Sequence, residues 1–175
     1  MLVMIVVHGI NILLNGALTV FGVIPGSEAH WWHIFTAPFI HGNVAHLSNN
    51  LAALLVFGSL CLAQSVRFFM ISSLFIIAMS GGLVWLFGRE AIHIGASGWI
   101  FGLWSLSIAL AWFDRRIINI LIACLVVFFY GGMIYGVLPH DPKISFEAHL
   151  FGAISGVLWA FLYSVYLKRS KVSFR

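Results

Sequence analysis

The sequence predicts an all-α polytopic membrane protein, a bundle of six transmembrane helices forming a single domain over residues 1–175. Composition is the first reason: 62% of residues are hydrophobic and 8% charged, whereas a water-soluble domain carries about a quarter charged residues. Run length is the second. Stretches free of Lys, Arg, Asp and Glu cover residues 1–27, 29–66, 68–88, 91–113, 117–140 and 148–167, and about twenty helical residues cross the hydrocarbon core. Thirdly, these runs are longer than barrel strands and lack their alternation, and helices or closed barrels alone satisfy the backbone in lipid.

The first run predicts a helix near 1–23. No basic residue precedes Arg67, so the segment lacks the charged start of a cleavable signal peptide and reads as a retained span, with an upstream extension left open. His8, Asn11 and Asn15 share one side of it and are assigned to packing. The second run exceeds one helix: Pro38, Gly42 and the crowded Trp31, Trp32 and His33 break its first third, leaving a helix near 44–63. A third helix is expected near 67–87.

Residues 87–96 include Arg89, Glu90, His93 and Gly95, which suits an irregular segment descending from the outer surface. The helix after it, Ser97–Phe113, has 17 residues, about 25 Å against a hydrocarbon thickness of about 30 Å. With Asp114, Arg115 and Arg116 at its inner end, Ser97 should start below the outer boundary. Non-helical backbone at that depth requires protein or a water-filled cavity beside it. Further helices are expected near 117–138 and 146–167. His149 lies about 6 Å into the last one, level with Ser97.

Basic residues set the orientation. With a cytoplasmic amino terminus, Arg67, Arg115, Arg116, Lys168, Arg169, Lys171 and Arg175 lie inside, seven of nine, as the positive-inside bias requires. Both termini are then cytoplasmic, and a bacterial inner membrane is the expected location. The net charge of +4 is a topology signal; no basic stripe with interleaved aromatics points to nucleic acid. Cys61 and Cys124 fall within expected helices and read as buried apolar thiols. His30, His33, His93 and His140 read as solvated or interfacial loop residues.

Polar side chains from three helices converge on the outer level, and intramembrane polar groups are functional-site candidates. Ser97 is the candidate nucleophile and His149 its base, since a hydroxyl attacks only once a base takes its proton and neutral imidazole suits that task. His46 and Asn50, four apart on one helical face, and the backbone N–H opening the Ser97 helix are candidate donors to an oxyanion. Glu147 lies about 200° round the helix from His149 and points away, so a dyad is expected. Gly98 with Gly102 and Gly152 with Gly156 form two GxxxG spacings that let backbones approach closely.

His41-x4-His46-x3-Asn50, Gly95-Ala96-Ser97-Gly98 and Ala148-His149-x2-Gly152-x3-Gly156 resemble the three signatures of rhomboid intramembrane serine proteases, in the same order and across almost the whole chain. The resemblance implies cleavage of transmembrane protein substrates within or beside the lipid bilayer, with Ser97 as nucleophile, His149 as base, and His46, Asn50 and the Ser97 N–H around the oxyanion. Site support from Gly95, Gly98 and His41 is expected with it. It also implies a first outer loop over residues 31–39 lying partly in the membrane, and a gate and cap formed by the fifth helix with residues 139–145. Two positions depart from the pattern. Trp32-His33 stands where Trp-Arg is frequent, and Phe101 where Tyr is frequent; Phe101 can pack on the His149 ring but cannot donate a hydrogen bond.

No cofactor and no metal are expected. A metalloprotease needs His-Glu-x-x-His or similar ligands, which no helix carries. An aspartyl protease needs two embedded acids, and Asp114 and Asp141 both fall at helix ends. A zinc site from His41, His46 and His149 is a minor alternative. The main one is a non-enzymatic rhomboid-like binder of transmembrane helices in quality control or trafficking.

Overall fold

Left-handed backbone at Asn15 (φ 51°) and Gly16 (φ 85°) stops the first helix, α1, which spans Leu2–Leu13. The computed structural model describes residues 1–139, 141 and 144–172, with side chains through Lys168. The early stop corrects the expected helix over 1–23. Asn11 Oδ1 accepts the Leu18 N–H at 2.9 Å, its carbonyl accepts the Gly16 N–H at 2.8 Å, and the chain continues as a 3-10 turn over Ala17–Phe21. Asn-Gly suits such a reversal because both residues tolerate positive φ.

The remaining α-helices begin close to where the sequence places them. Asn43 caps α2 (Val44–Gln64) by accepting the His46 N–H at 2.8 Å. Ser65, in extended backbone, separates α2 from α3 (Val66–Phe87) and caps α3 by accepting the Phe68 N–H at 3.0 Å. α4 covers Ser97–Phe113, α5 covers Ile117–Tyr130 and tightens into a 3-10 turn over Gly131–Val137, and α6 covers Phe146–Val172. Among the described residues four stretches are long and apolar enough to cross a membrane: Val44–Gln64, Val66–Phe87, Ile117–Val137 and Phe146–Lys168. Length and composition thus account for four of the six expected spans, α1 and α4 being shorter.

α4 is apolar on every side and is surrounded by α2, α3, α5 and α6, the placement expected of a helix with no polar face. Ile100, Leu103, Leu106 and Leu110 from α4 share one core with Phe57, Ile76, Val126 and Ala160 from its neighbours. The closest packing is against α6. A Cβ on Gly152 would overlap the Gly98 carbonyl, and one on Gly156 the Gly102 carbonyl, so these four glycines bring the two backbones into contact. Ser105 Oγ donates to the Ala153 carbonyl at 2.8 Å across the same seam.

Among the described residues there is no strand, only an isolated antiparallel bridge in which Val23 and His93 exchange two 2.9 Å hydrogen bonds. Two histidines expected to be solvated or interfacial are buried. His33 Nδ1 donates to the Gly22 carbonyl at 2.9 Å, tying the 3-10 segment Glu28–Phe35 to the chain after α1. His93 Nε2 donates to the Arg89 carbonyl at 3.1 Å, and its Nδ1 accepts the Ser145 hydroxyl at 2.6 Å. His30 is exposed and pairs with Ser27 at 2.8 Å, and His140 lies outside the described residues. Cys61 is a buried free thiol as expected, but Cys124 is exposed on α5.

Candidate active site

A cavity of about 840 Å³ opens between α2, α4, α6 and the turn after α5. His46 and Asn50 from α2, Ser97 and Phe101 from α4, and His149 from α6 line it together. The structure therefore brings Ser97, His149, His46 and Asn50 to one cavity, while His41 does not line it.

Ser97 is the first residue of α4. The preceding Ala96 supplies no side-chain cap, and the first amide bonded within the turn is that of Ile100, to the Ala96 carbonyl at 2.9 Å. Uncapped N–H groups and the helix dipole suit a developing negative charge at this end. Gly95 makes the approach possible. It adopts φ 105°, its N–H bonds to the Ala37 carbonyl at 2.9 Å, and a Cβ there would lie 2.5 Å from His46 Nε2 and 3.3 Å from Asn50 Nδ2. Only glycine lets this backbone lie against the two α2 side chains.

His149 is held from two directions. Its Nδ1 donates to the Gly136 carbonyl at 2.9 Å, and its ring stacks on Phe101 with centroids 4.2 Å apart and planes 8° from parallel. With the proton of the neutral ring committed at Nδ1, the Nε2 lone pair is the basic site. Ser97 Oγ makes no hydrogen bond among the described residues. Nucleophile and base are commonly looser before substrate binds. Glu147, next but one to His149, is buried and pairs with Arg89 at 3.5 Å, while Arg89 Nη2 donates to the Ile144 carbonyl at 2.7 Å. These contacts fasten the loop before α4 to the start of α6.

His41 is fully buried, and its Nε2 accepts from Asn50 Nδ2 at 2.9 Å. Burial, reinforced by the neighbouring His46, pushes its pKa down to about 4, so the ring is neutral and able to accept. His8 Nδ1 donates to the His41 carbonyl at 3.1 Å and so holds the residue from α1. Among the described residues no group of three or more His, Cys, Asp or Glu is arranged to hold a metal ion.

Gly136, Tyr130, Met133 and Asn49 also belong to this site: the first supplies the carbonyl behind His149, and the others line the cavity. Sequence reasoning did not find them. Asn49 sits beside Asn50 and offered a signal; a backbone carbonyl offers none.

This combination of long apolar helices with a polar cavity sunk among them defines a polytopic helical membrane protein. A family model for the Rhomboid domain matches residues 28–166. The chain belongs to the rhomboid family. It is 34% identical over 164 residues to an uncharacterized protein of Mycobacterium tuberculosis, covering 89% of this chain and 68% of that one. An uncharacterized Mycobacterium leprae protein is 40% identical over 143 residues, or 76% of this chain and 56% of its own length. The chloroplastic rhomboid-like protein 11 of Arabidopsis thaliana is 34% identical over 149 residues, 77% of this chain and 53% of its own.

Proposed function

We propose that the chain is an intramembrane serine endopeptidase that cleaves transmembrane substrates near the outer side of the bilayer through a Ser97–His149 dyad. The observation that carries this reading is the arrangement at the cavity wall: an uncapped helix start bearing Ser97, facing the same space as an imidazole whose Nδ1 is already bonded to Gly136. Family membership supports it. In the proposed arrangement α1 and α4 complete six spans as short members, both termini are cytoplasmic, and the membrane is a bacterial inner membrane.

A substrate helix frays near its outer end, aided by small or helix-weakening residues, and exposes a peptide carbonyl. Ser97 Oγ attacks that carbon while His149 Nε2 takes the hydroxyl proton. The oxyanion lies among His46, the Asn50 amide and the Ser97 N–H. His149 then passes its proton to the leaving amine, and water from the cavity hydrolyses the acyl-enzyme with the same ring as base.

The test is fluorophosphonate labelling combined with cleavage of a single-pass reporter in liposomes. Wild type is expected to be modified at Ser97 and to cut the reporter, whereas Ser97→Ala and His149→Ala do neither. A second reading, a rhomboid-like binder without catalysis, draws on the missing hydrogen bond at Ser97 Oγ. Reporter binding without labelling or cleavage by wild type would decide for it.

A further inference from the structure

α4 and α6 also meet at the end remote from the cavity. There they part around a second recess of about 490 Å³, whose lining includes Trp112, Phe113, Asp114, Arg115, Ser164 and Lys168. With α4 running 17 residues from Ser97 to Phe113, the recess lies about 25 Å from the cavity, near the opposite bilayer surface.

Its charges are unbalanced in one direction. Asp114 brings the only carboxylate to the described lining, and its Oδ2 already accepts from Arg116 Nε at 2.8 Å and from Asn119 Nδ2 at 3.2 Å. Arg115 is exposed, its guanidinium 5.4 Å from the Trp112 ring centroid, with a long 3.4 Å contact from Nε to the Trp112 carbonyl. Lys168 is exposed and has no hydrogen-bond or ion-pair partner among the described residues. Two cations thus border a recess whose nearest acid is engaged elsewhere. Two aromatic side chains, Trp112 and Phe113, join this lining; Phe113 packs edge-on against Phe161 at 5.6 Å, and Trp112 is 70% exposed.

We infer that this recess binds the headgroup of an anionic phospholipid, with the phosphodiester between Arg115 and Lys168 and the glycerol and first acyl carbons on Trp112 and Phe113. Basic recesses between membrane helices attract anionic headgroups, and tryptophan settles at the headgroup level. A zwitterionic lipid brings a cation of its own against the two already there. Inorganic phosphate shares the anion chemistry but leaves Trp112 and Phe113 uncovered. The site does not depend on whether Ser97 is a nucleophile.

Native mass spectrometry of the full chain, taken from vesicles of equimolar phosphatidylglycerol and phosphatidylcholine, tests this. Wild type is expected to retain phosphatidylglycerol preferentially. Arg115→Gln and Lys168→Gln should each lower its retention about 5-fold and together about 25-fold. Arg115→Lys, which keeps the charge, and Arg67→Gln, which removes a basic residue bordering a different groove, should retain it. Millimolar phosphate should not displace it. Equal retention of the two lipids, a double variant that holds phosphatidylglycerol like wild type, or displacement by phosphate would overturn the inference. If Arg115→Gln unfolds in phosphatidylcholine alone, Arg115→Lys against Lys168→Gln still decides; if Lys168→Gln does, Arg115→Lys against Arg115→Gln decides.

Discussion

Replacing Gly152 by alanine tests the link between helix packing and the proposed catalysis. A Cβ at 152 would overlap the Gly98 carbonyl oxygen and lie 2.9 Å from its carbonyl carbon and 3.1 Å from its Cα. Backbone atoms cannot rotate aside, so α4 and α6 must separate by about 1 Å to restore ordinary contact. Overpacking of this kind costs about 1–3 kcal/mol, which lowers the melting temperature by roughly 2–12 °C in a chain of this size. The same separation moves Ser97 from His149, and a misplacement of about 1 Å costs on the order of 100-fold in rate. The assay is reporter cleavage in liposomes well below the melting temperature, beside thermal unfolding. Gly9→Ala is the control, because a Cβ there meets nothing within 4 Å. Gly152→Ala with wild-type rate and melting temperature, or a Gly9→Ala variant equally impaired, would refute the reasoning.

Gly136→Ala places a Cβ 2.7 Å from Phe101 Cζ and 3.5 Å from His149 Nδ1; fluorophosphonate labelling of Ser97 is expected to slow by about 10–100-fold with the fold retained. Gly95→Ala forces a side chain into φ 105° and against His46 Nε2, so thermal unfolding should show a loss of roughly 1–3 kcal/mol or more. Because the His41 pKa is lowered to about 4 on folding, from about 6.5 when unfolded, the unfolded state binds more protons between those values. Stability contributed by neutral His41 is therefore present above about pH 6.5 and is lost as pH falls towards about 4. His41→Gln should flatten that part of the melting-temperature profile, and an unchanged slope would count against it.

The sequence reveals most about features set by composition and spacing. α4 begins at Ser97 and ends at Phe113 as expected, because a glycine-rich entry and the Asp114-Arg115-Arg116 exit mark both boundaries. The end of α1 was harder, since absence of charge says nothing about backbone reversal; the Asn15-Gly16 dipeptide carried that information. His33 and His93 look like surface residues until distant partners, the Gly22 carbonyl and the Ser145 hydroxyl, arrive through the fold. His33, which follows Trp32 where arginine is the expected pattern, fastens the Glu28–Phe35 segment through one backbone carbonyl. The Gly136 contact was illegible because any residue has a carbonyl to offer, and only the tightening of α5 into a 3-10 turn aims this one at His149.

That contact couples two properties which look separate. The oxygen holding the imidazole belongs to the Gly131–Val137 turn, which also brings Met133 to the cavity lining, so one short backbone segment shapes the cavity and orients the ring. Under the proposed reaction, a substitution that shifts this turn therefore acts twice, on the space open to a substrate beside Met133 and on the aim of the His149 ring.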